Sequence, residues 1–258
     1  MIMNVGGHVV SLEGRRILIV GASSGIGRAT ALAAARAGAR VAIAARRLDR
    51  LQQVAGEAGE AVWPVQCDVR VPVACELVAR AVEQQLGGLD TLVYATAINH
   101  LVLLAETDID TWRDLLETNL VGAALVTRAT LPALVSAGGR VAFLSSDSVA
   151  RPFPGLGAYA ASKAGLETLT AAWRAEVSEV TFTRVVVGPT LTGMADGWDP
   201  DLAATMFEWW HSIGYLDREP VEPEWVAQRM VRWMAAEDPP EELDLLAESI
   251  AERRGSSG

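Results

Sequence analysis

The stretch Arg16-Ile17-Leu18-Ile19-Val20-Gly21-Ala22-Ser23-Ser24-Gly25-Ile26-Gly27 decides the fold. Ile17 to Val20 form a continuous apolar run of strand length, the pattern a strand buried on both faces needs. Gly21 and the small residues after it end that run, and from Gly25 the chain takes up a helical period. Strand, tight turn and helix in this order bring the free N–H groups and positive end of the helix to the carboxyl edge of the strand. Small side chains let a pyrophosphate approach that backbone closely, so the turn reads as a dinucleotide site. Glycines also permit tight strand–helix packing with no ligand, and it is the strand–turn–helix placement that favours the cofactor.

Working outward, apolar β-rich runs alternate with helical segments. Strands are expected at 16–20, 40–44, 61–67, 91–95, 140–145, 183–187 and 242–247, and helices at 25–37, 48–57, 73–86, 111–134, 158–177 and 222–236. The alternation predicts an α/β doubly wound parallel sheet, a Rossmann fold with helices on both faces. Gly38, Gly87-Gly88 and Gly138-Gly139 each follow a helical run and precede a strand, where a left-handed helix end is expected. With no internal repeat and no linker, residues 1–258 are expected to form a single dinucleotide-binding domain. The irregular stretch is 188–220, with Met194, Trp198, Met206, Phe207, Trp209 and Trp210. It leaves the carboxyl end of a strand, where doubly wound sheets bind ligands, and is expected to be a substrate lid. The alternative is that its aromatics pack a subunit interface or cover the core.

Composition narrows the function classes. Half of the residues are hydrophobic and 21% are charged, which argues against a disordered or fibrous chain. A net charge of −10 argues against nucleic-acid or anionic-membrane partners, because both require a field of basic side chains. Residues 1–20 lack a leader pattern and no window of about 18 apolar residues is read as a membrane span, so a soluble cytoplasmic protein is expected. Cys67 and Cys75 lie eight apart and, with His8, His100 and His211, show no metal-type spacing. They read as reduced structural thiols, and no metal is expected. Of the 22 basic residues, 21 are Arg and one, Lys163, is Lys.

A carboxylate at the end of the second strand would bind the ribose hydroxyls of NAD. Ala44-Ala45-Arg46-Arg47 stands there instead. Two guanidinium groups and no repelling acid favour a 2′-phosphate, hence NADP (NADPH), with NAD as the alternative. The bland reading of Arg46 and Arg47 is a solvated charge pair. Asp68-Val69 follow the third strand and could meet an adenine ring, although an Asp there is as often a helix cap. Further on, Tyr159 follows Ser146 by thirteen residues and Lys163 follows Tyr159 by four. The i, i+4 spacing puts Tyr159 and Lys163 on one helix face, and Ser146 ends the fifth strand, so the three can converge at the carboxyl edge of the sheet. Moving a phenol from its ordinary pKa of about 10 to about 7 takes roughly 4 kcal/mol. A cation at about 4 Å in an effective dielectric of about 20 supplies that order of energy, so Lys163 is expected to make Tyr159 an acid–base group. A half-buried Tyr with a snorkelling Lys is the structural alternative, and it leaves the spacing from Ser146 unexplained.

Together the glycine turn, the Ser and the Tyr-x-x-x-Lys resemble the short-chain dehydrogenase/reductase family, in its single-domain form of about 250 residues, over residues 12–236. The resemblance implies a proton-transferring Tyr159, a Lys163 that holds the nicotinamide ribose and lowers the Tyr pKa, and a Ser146 that orients the substrate oxygen. It adds Asn119 as a helix residue holding a water in a proton relay. It maps Gly21, Ser23, Ser24, Gly25, Ile26 and Gly27 onto the phosphate turn, Asp68 and Val69 onto the adenine, and Ala95, Thr96, Pro189 and Thr192 along the cofactor. Three motifs depart from the family pattern. Tyr94-Ala95-Thr96-Ala97 replaces Asn-Asn-Ala-Gly, Val20 replaces a Thr, and Gly188-Pro189-Thr190 replaces Pro-Gly. The first two are expected to form one repacked contact. The implied activity is an NADP(H)-dependent oxidoreductase acting on a small carbonyl or secondary alcohol, expected to be hydrophobic or ring-containing given the Met and Trp content of 188–220, in a homodimer or homotetramer. The rival is a non-catalytic NADP-binding sensor or regulatory protein on the same fold. A smaller alternative is an epimerase or dehydratase.

Overall fold

The computed structural model describes residues 3–5, 8–216 and 218–255. Two short antiparallel strands, β1 (Met3–Val5) and β2 (His8–Val10), precede the main sheet and were not expected from the sequence. The first half of that sheet runs β3 (Arg16–Val20), α1 (Gly25–Arg36), β4 (Arg40–Ala45), α2 (Leu48–Ala58), β5 (Val62–Gln66), α3 (Pro72–Leu86) and β6 (Thr91–Tyr94). The second half runs α4 (Ile109–Leu116), a π-helical turn (Glu117–Val121), α5 (Gly122–Ala137), β7 (Arg140–Leu144), α6 (Gly157–Glu176) and β8 (Thr181–Val186). It ends with α7 (Pro200–Ser212), α8 (Pro223–Ala235), β9 (Glu242–Asp244) and α9 (Leu245–Gly255). The seven strands are parallel, in the order β5-β4-β3-β6-β7-β8-β9. Chain direction across the sheet reverses between β3 and β6, which opens a crevice at the carboxyl ends of those strands.

The apolar strand runs explain the two layers. Ile17, Ile19, Val41 and Ile43 face one side and pack on the alanine-rich face of α1 and on Val226, Met230 and Trp233 of α8. Leu18, Val20, Leu92 and Phe143 face the other side, against α3, α5 and α6. Small alanines let α1 and α8 approach closely and make theirs one of the main helix contacts. Arginines tie off the ends of the helices. Buried Arg140 donates to the carbonyls of Trp233, Met234 and Ala236, Arg40 to those of Gln85 and Leu86, and Arg16 to that of Gly87.

Several boundaries differ from the sequence reading. The stretch 188–220 is not wholly irregular. Asp199 accepts from Leu202 N at 2.9 Å and Pro200 occupies the first turn, so α7 has a proper start. The strand expected at 242–247 ends at Asp244, whose carboxylate accepts from Ala247 N at 2.8 Å and begins α9. The helix expected at 111–134 begins at Ile109 and contains the π-helical turn. One helical run, Ile109–Ala137, is also long and apolar enough by length and composition to cross a membrane, which corrects the expectation that no window would qualify. In the fold, Leu115, Ala123, Val126 and Leu134 of this run are buried in the core. The expected single domain extends to residue 258, and 256–258 lie outside the described residues.

Candidate active site

At the carboxyl edge of the sheet lies a cavity of about 720 Å³. One end is the glycine turn. Gly21 has φ +93°, and a Cβ there would sit 2.6 Å from Thr96 N, so only glycine fits beside the strand-end loop. Gly25 has φ +53°, and a Cβ on it would meet Thr192 Cγ2 at 3.1 Å. The Ser24 side chain does not cap α1, and Gly25, Ile26 and Gly27 line the cavity at the start of that helix. A cradle this narrow, at the positive end of a twelve-residue helix, suits a pyrophosphate. Arg47 reaches over it, donating to Ser23 Oγ at 3.0 Å and Ser24 Oγ at 3.2 Å, and Arg46 lines the same end.

Asp68 and Val69 also line the cavity. The Asp68 carboxylate is engaged by Arg70 at 2.7 Å, and this hydrogen bond holds it below the usual carboxylate range. Arg70 in turn reaches Asp114 at 2.7 Å. Cys67 and Cys75 are free and buried. They hydrogen-bond each other, which raises the Cys67 thiol above its ordinary range, and Cys75 Sγ also donates to Val69 O.

Ala95, Thr96, Pro189 and Thr192 complete the walls of this half. Val20 and Tyr94 are cross-strand partners, joined by Ala95 N donating to Val20 O at 2.8 Å, so those two sequence departures meet in one contact. The third departure, the Gly188-Pro189-Thr190 turn, is tied down by Val221, which donates to Pro189 O and accepts from Leu191 N, both at 2.9 Å.

The other half holds Ser146, Tyr159 and Lys163, which all line the same cavity. Tyr159 and Lys163 share a face of α6, with Nζ 5.9 Å from the ring centroid. Lys163 Nζ donates to Leu144 O at 2.7 Å, and burial pushes its pKa down to about 8. Burial pushes the Tyr159 phenol up to about 12, against a lowering hydrogen bond with Ser146 and with a further rise from Asp147. The expected lysine-driven drop toward neutrality is therefore corrected. In this geometry the ammonium is turned to the end of β7, and desolvation governs the phenol.

Asn119 does not line the cavity. Its Nδ2 donates to Ile98 O and Ser162 Oγ, and its Oδ1 accepts from Ile98 N, each at 2.9 Å. Ser162 Oγ then donates to Tyr159 O at 2.7 Å. The side chain thus secures the start of α6 from behind the wall. The π-helical turn that carries Asn119 also supplies the Thr118 carbonyl, which accepts from Tyr94 Oη at 2.5 Å.

Of the aromatic and Met residues expected to form a lid, Met194, Trp198, Phe207 and Trp210 line the cavity. Met206 is buried behind them, and Trp209 is 44% exposed. Phe153, Asp147, Ser148, Tyr215 and Arg218 also line the cavity and were missed in the sequence. The signal for Asp147 and Ser148 was their position directly after Ser146. Tyr215 and Arg218 have no sequence signature, since only the folding back of 188–220 brings them to the site.

A doubly wound sheet with a glycine turn at its reversal point defines the class of Rossmann-type dinucleotide folds. The profile of the family described as short chain dehydrogenase matches residues 15–203, and the chain belongs to that family. It is 35% identical over 189 residues to the glycine betaine reductase ATRR of Emericella nidulans, a match covering 71% of this chain and 15% of that protein. It is 37% identical over 184 residues to 11-beta-hydroxysteroid dehydrogenase A of Arachis hypogaea, covering 69% of this chain and 53% of that one. The chain thus spans from a small part to about half of the length of these curated relatives. Among solved structures, an alcohol dehydrogenase from the archaeon Thermococcus sibiricus, complexed with 5-hydroxy-NADP, superposes with a TM-score of 0.79 at 26% identity, covering 90% of this chain and 95% of that chain.

Proposed function

We propose that the protein is an NADP(H)-dependent oxidoreductase acting on a carbonyl or secondary alcohol, with Tyr159 as general acid and base. The observation that carries this reading is one continuous cavity joining the Gly21–Gly27 turn and Arg46–Arg47 to Ser146, Tyr159 and Lys163. When bound, the nicotinamide cofactor supplies or accepts the hydride. The turn would hold its pyrophosphate, Asp68 and Val69 its adenine, and Ala95, Thr96, Pro189 and Thr192 its remaining length. Arg47 beside Ser23 and Ser24, with Arg46 and no carboxylate at the end of β4, supports NADP over NAD. Ser146 holds the substrate oxygen, and Tyr159, protonated through neutral pH, gives its proton to that oxygen in reduction. Lys163 offers a nearby cation to stabilise the phenolate left behind, and Asn119 acts as a positioning residue through Ser162. The segment 188–220 covers the substrate.

The test is NADPH oxidation against a panel of ketones. Tyr159→Phe is expected to lose at least about 100-fold in kcat/KM, and equal turnover in both proteins would refute the assigned role. In the same assay, Arg46→Ala/Arg47→Ala is expected to raise the KM for NADPH far more than that for NADH. A uniform change for both cofactors would count against the 2′-phosphate reading.

A further inference from the structure

One more side chain of α6 reaches the carboxyl edge of the sheet. Glu167 follows Lys163 by four positions, as Lys163 follows Tyr159, so the three stand on one stripe of the helix. Its side chain is 16% exposed, and both carboxylate oxygens are engaged. Oε1 accepts from Ser145 Oγ at 2.6 Å, and Oε2 accepts from Arg184 Nη1 of β8 at 2.7 Å. Arg184 also pairs with Glu242 of β9, which accepts from Arg174 in the last turn of α6 at 3.0 Å. The carboxylate is thus braced from the sheet, and its bond to the Ser145 hydroxyl belongs to the strong, charge-assisted class.

Ser145 is buried between two residues that hold the reacting groups. Before it, the Leu144 carbonyl accepts from Lys163 Nζ at 2.7 Å. After it, Ser146 hydrogen-bonds Tyr159. A planar peptide joins the Leu144 carbonyl to Ser145 N, so the orientation of Ser145 sets the direction of that carbonyl. Ser145 N–H donates to Val185 O at 2.7 Å, which ties the strand end to β8 only. The Glu167 bond ties it to the helix that carries Tyr159 and Lys163.

We infer that Glu167 is a positioning residue: through Ser145 it locks the end of β7 to α6, so that the Leu144 carbonyl keeps the Lys163 ammonium in place and Ser146 stays against the phenol. The consequence for turnover rests on the proposed carbonyl/alcohol chemistry at Tyr159. A mere strut between helix and sheet would affect melting and leave the lysine as it is.

Lys163 is the chain's single lysine, so isotopic labelling of lysine at Cε gives one NMR resonance to follow through pH. Burial holds its pKa at about 8. With the Leu144 carbonyl loosened, the ammonium should titrate lower still, by about 0.5 or more, in Ser145→Ala and Glu167→Ala. Glu167→Gln is expected to stay near wild type, because an amide can accept from Arg184 and donate to Ser145 Oγ. With NADPH and a ketone, each alanine variant should lose about tenfold in kcat while the KM for NADPH stays within about twofold. The double alanine variant should lose no more than either single one, since all three break the same bond. Thermal melting checks that each variant is folded. An unchanged lysine titration or unchanged kcat in both alanine variants, additive losses in the double variant, or a Glu167→Gln as impaired as Glu167→Ala overturns the inference. If wild type reduces no ketone, the proposed chemistry fails, and the lysine titration by itself decides whether Glu167 positions the ammonium.

Discussion

Lys163 stands alone among 21 arginines, and the structure gives both facts a physical reason. Arg140 alone serves three backbone carbonyls, a task that suits a planar fork of donors. Lys163 makes one such bond, to Leu144 O, from a fully enclosed position beside Tyr159. A guanidinium is wider than the ammonium it would replace there. Lys163→Arg is expected to keep the charge and most of the fold while losing at least about 100-fold in kcat/KM, and near-normal turnover would return the lone lysine to a compositional accident. Its titration gives a second expectation. The folded pKa of about 8 lies below the ordinary 10.5, so between those values the unfolded chain binds more protons and unfolding free energy rises with pH. Relative to Lys163→Met, wild type should gain up to about 3 kcal/mol across that window. Urea unfolding of both proteins at several pH values checks this, and a flat difference contradicts it.

At the scale of elements, the π-helical turn and β6 hold each other. Tyr94 Oη bonds the Thr118 carbonyl, and Gly122 makes room for it, since a Cβ there would lie 2.7 Å from Tyr94 Oη and 2.6 Å from Val69 Cγ2. Gly122→Ala is expected to cost about 1–3 kcal/mol through overpacking, and Tyr94→Phe about 1 kcal/mol or more through the lost bond. Removing Oη also removes part of the clash, so the double variant should cost less than the sum of the two, as chemical denaturation of the four proteins would reveal. Strict additivity would separate the two contacts. The main strands and helices were legible in the sequence because hydrophobic period and glycine helix ends are local signals. The start of α7 at Asp199-Pro200 was legible too, but the Gly, Pro and Trp content of 188–220 masked it. The end of β9 depends on Asp244 capping α9, a choice that an apolar run of Leu residues does not announce.

For the whole molecule, the aromatic cluster over the cavity is separate from the two cores that flank the sheet. Trp210 contacts Phe153, Trp198 and Phe207 within it. Trp210→Ala should therefore raise the KM for ring-bearing substrates while lowering the Tm less than Ile43→Ala, which opens a cavity in the sheet core. Steady-state kinetics and thermal melting decide it, and a larger Tm loss for Trp210→Ala would make the cluster part of the main core. The sequence by itself determined the order of the main parallel strands and of the helices between them, the glycine turn and the spacing of Ser146, Tyr159 and Lys163, because turn chemistry and helical period act over a few residues. Only the tertiary structure decided that Lys163 turns to Leu144, that burial raises the Tyr159 phenol, that Asn119 stands behind the wall, and that Arg218 meets Asp147. Each of these depends on desolvation or on contacts between distant segments, which no local pattern encodes.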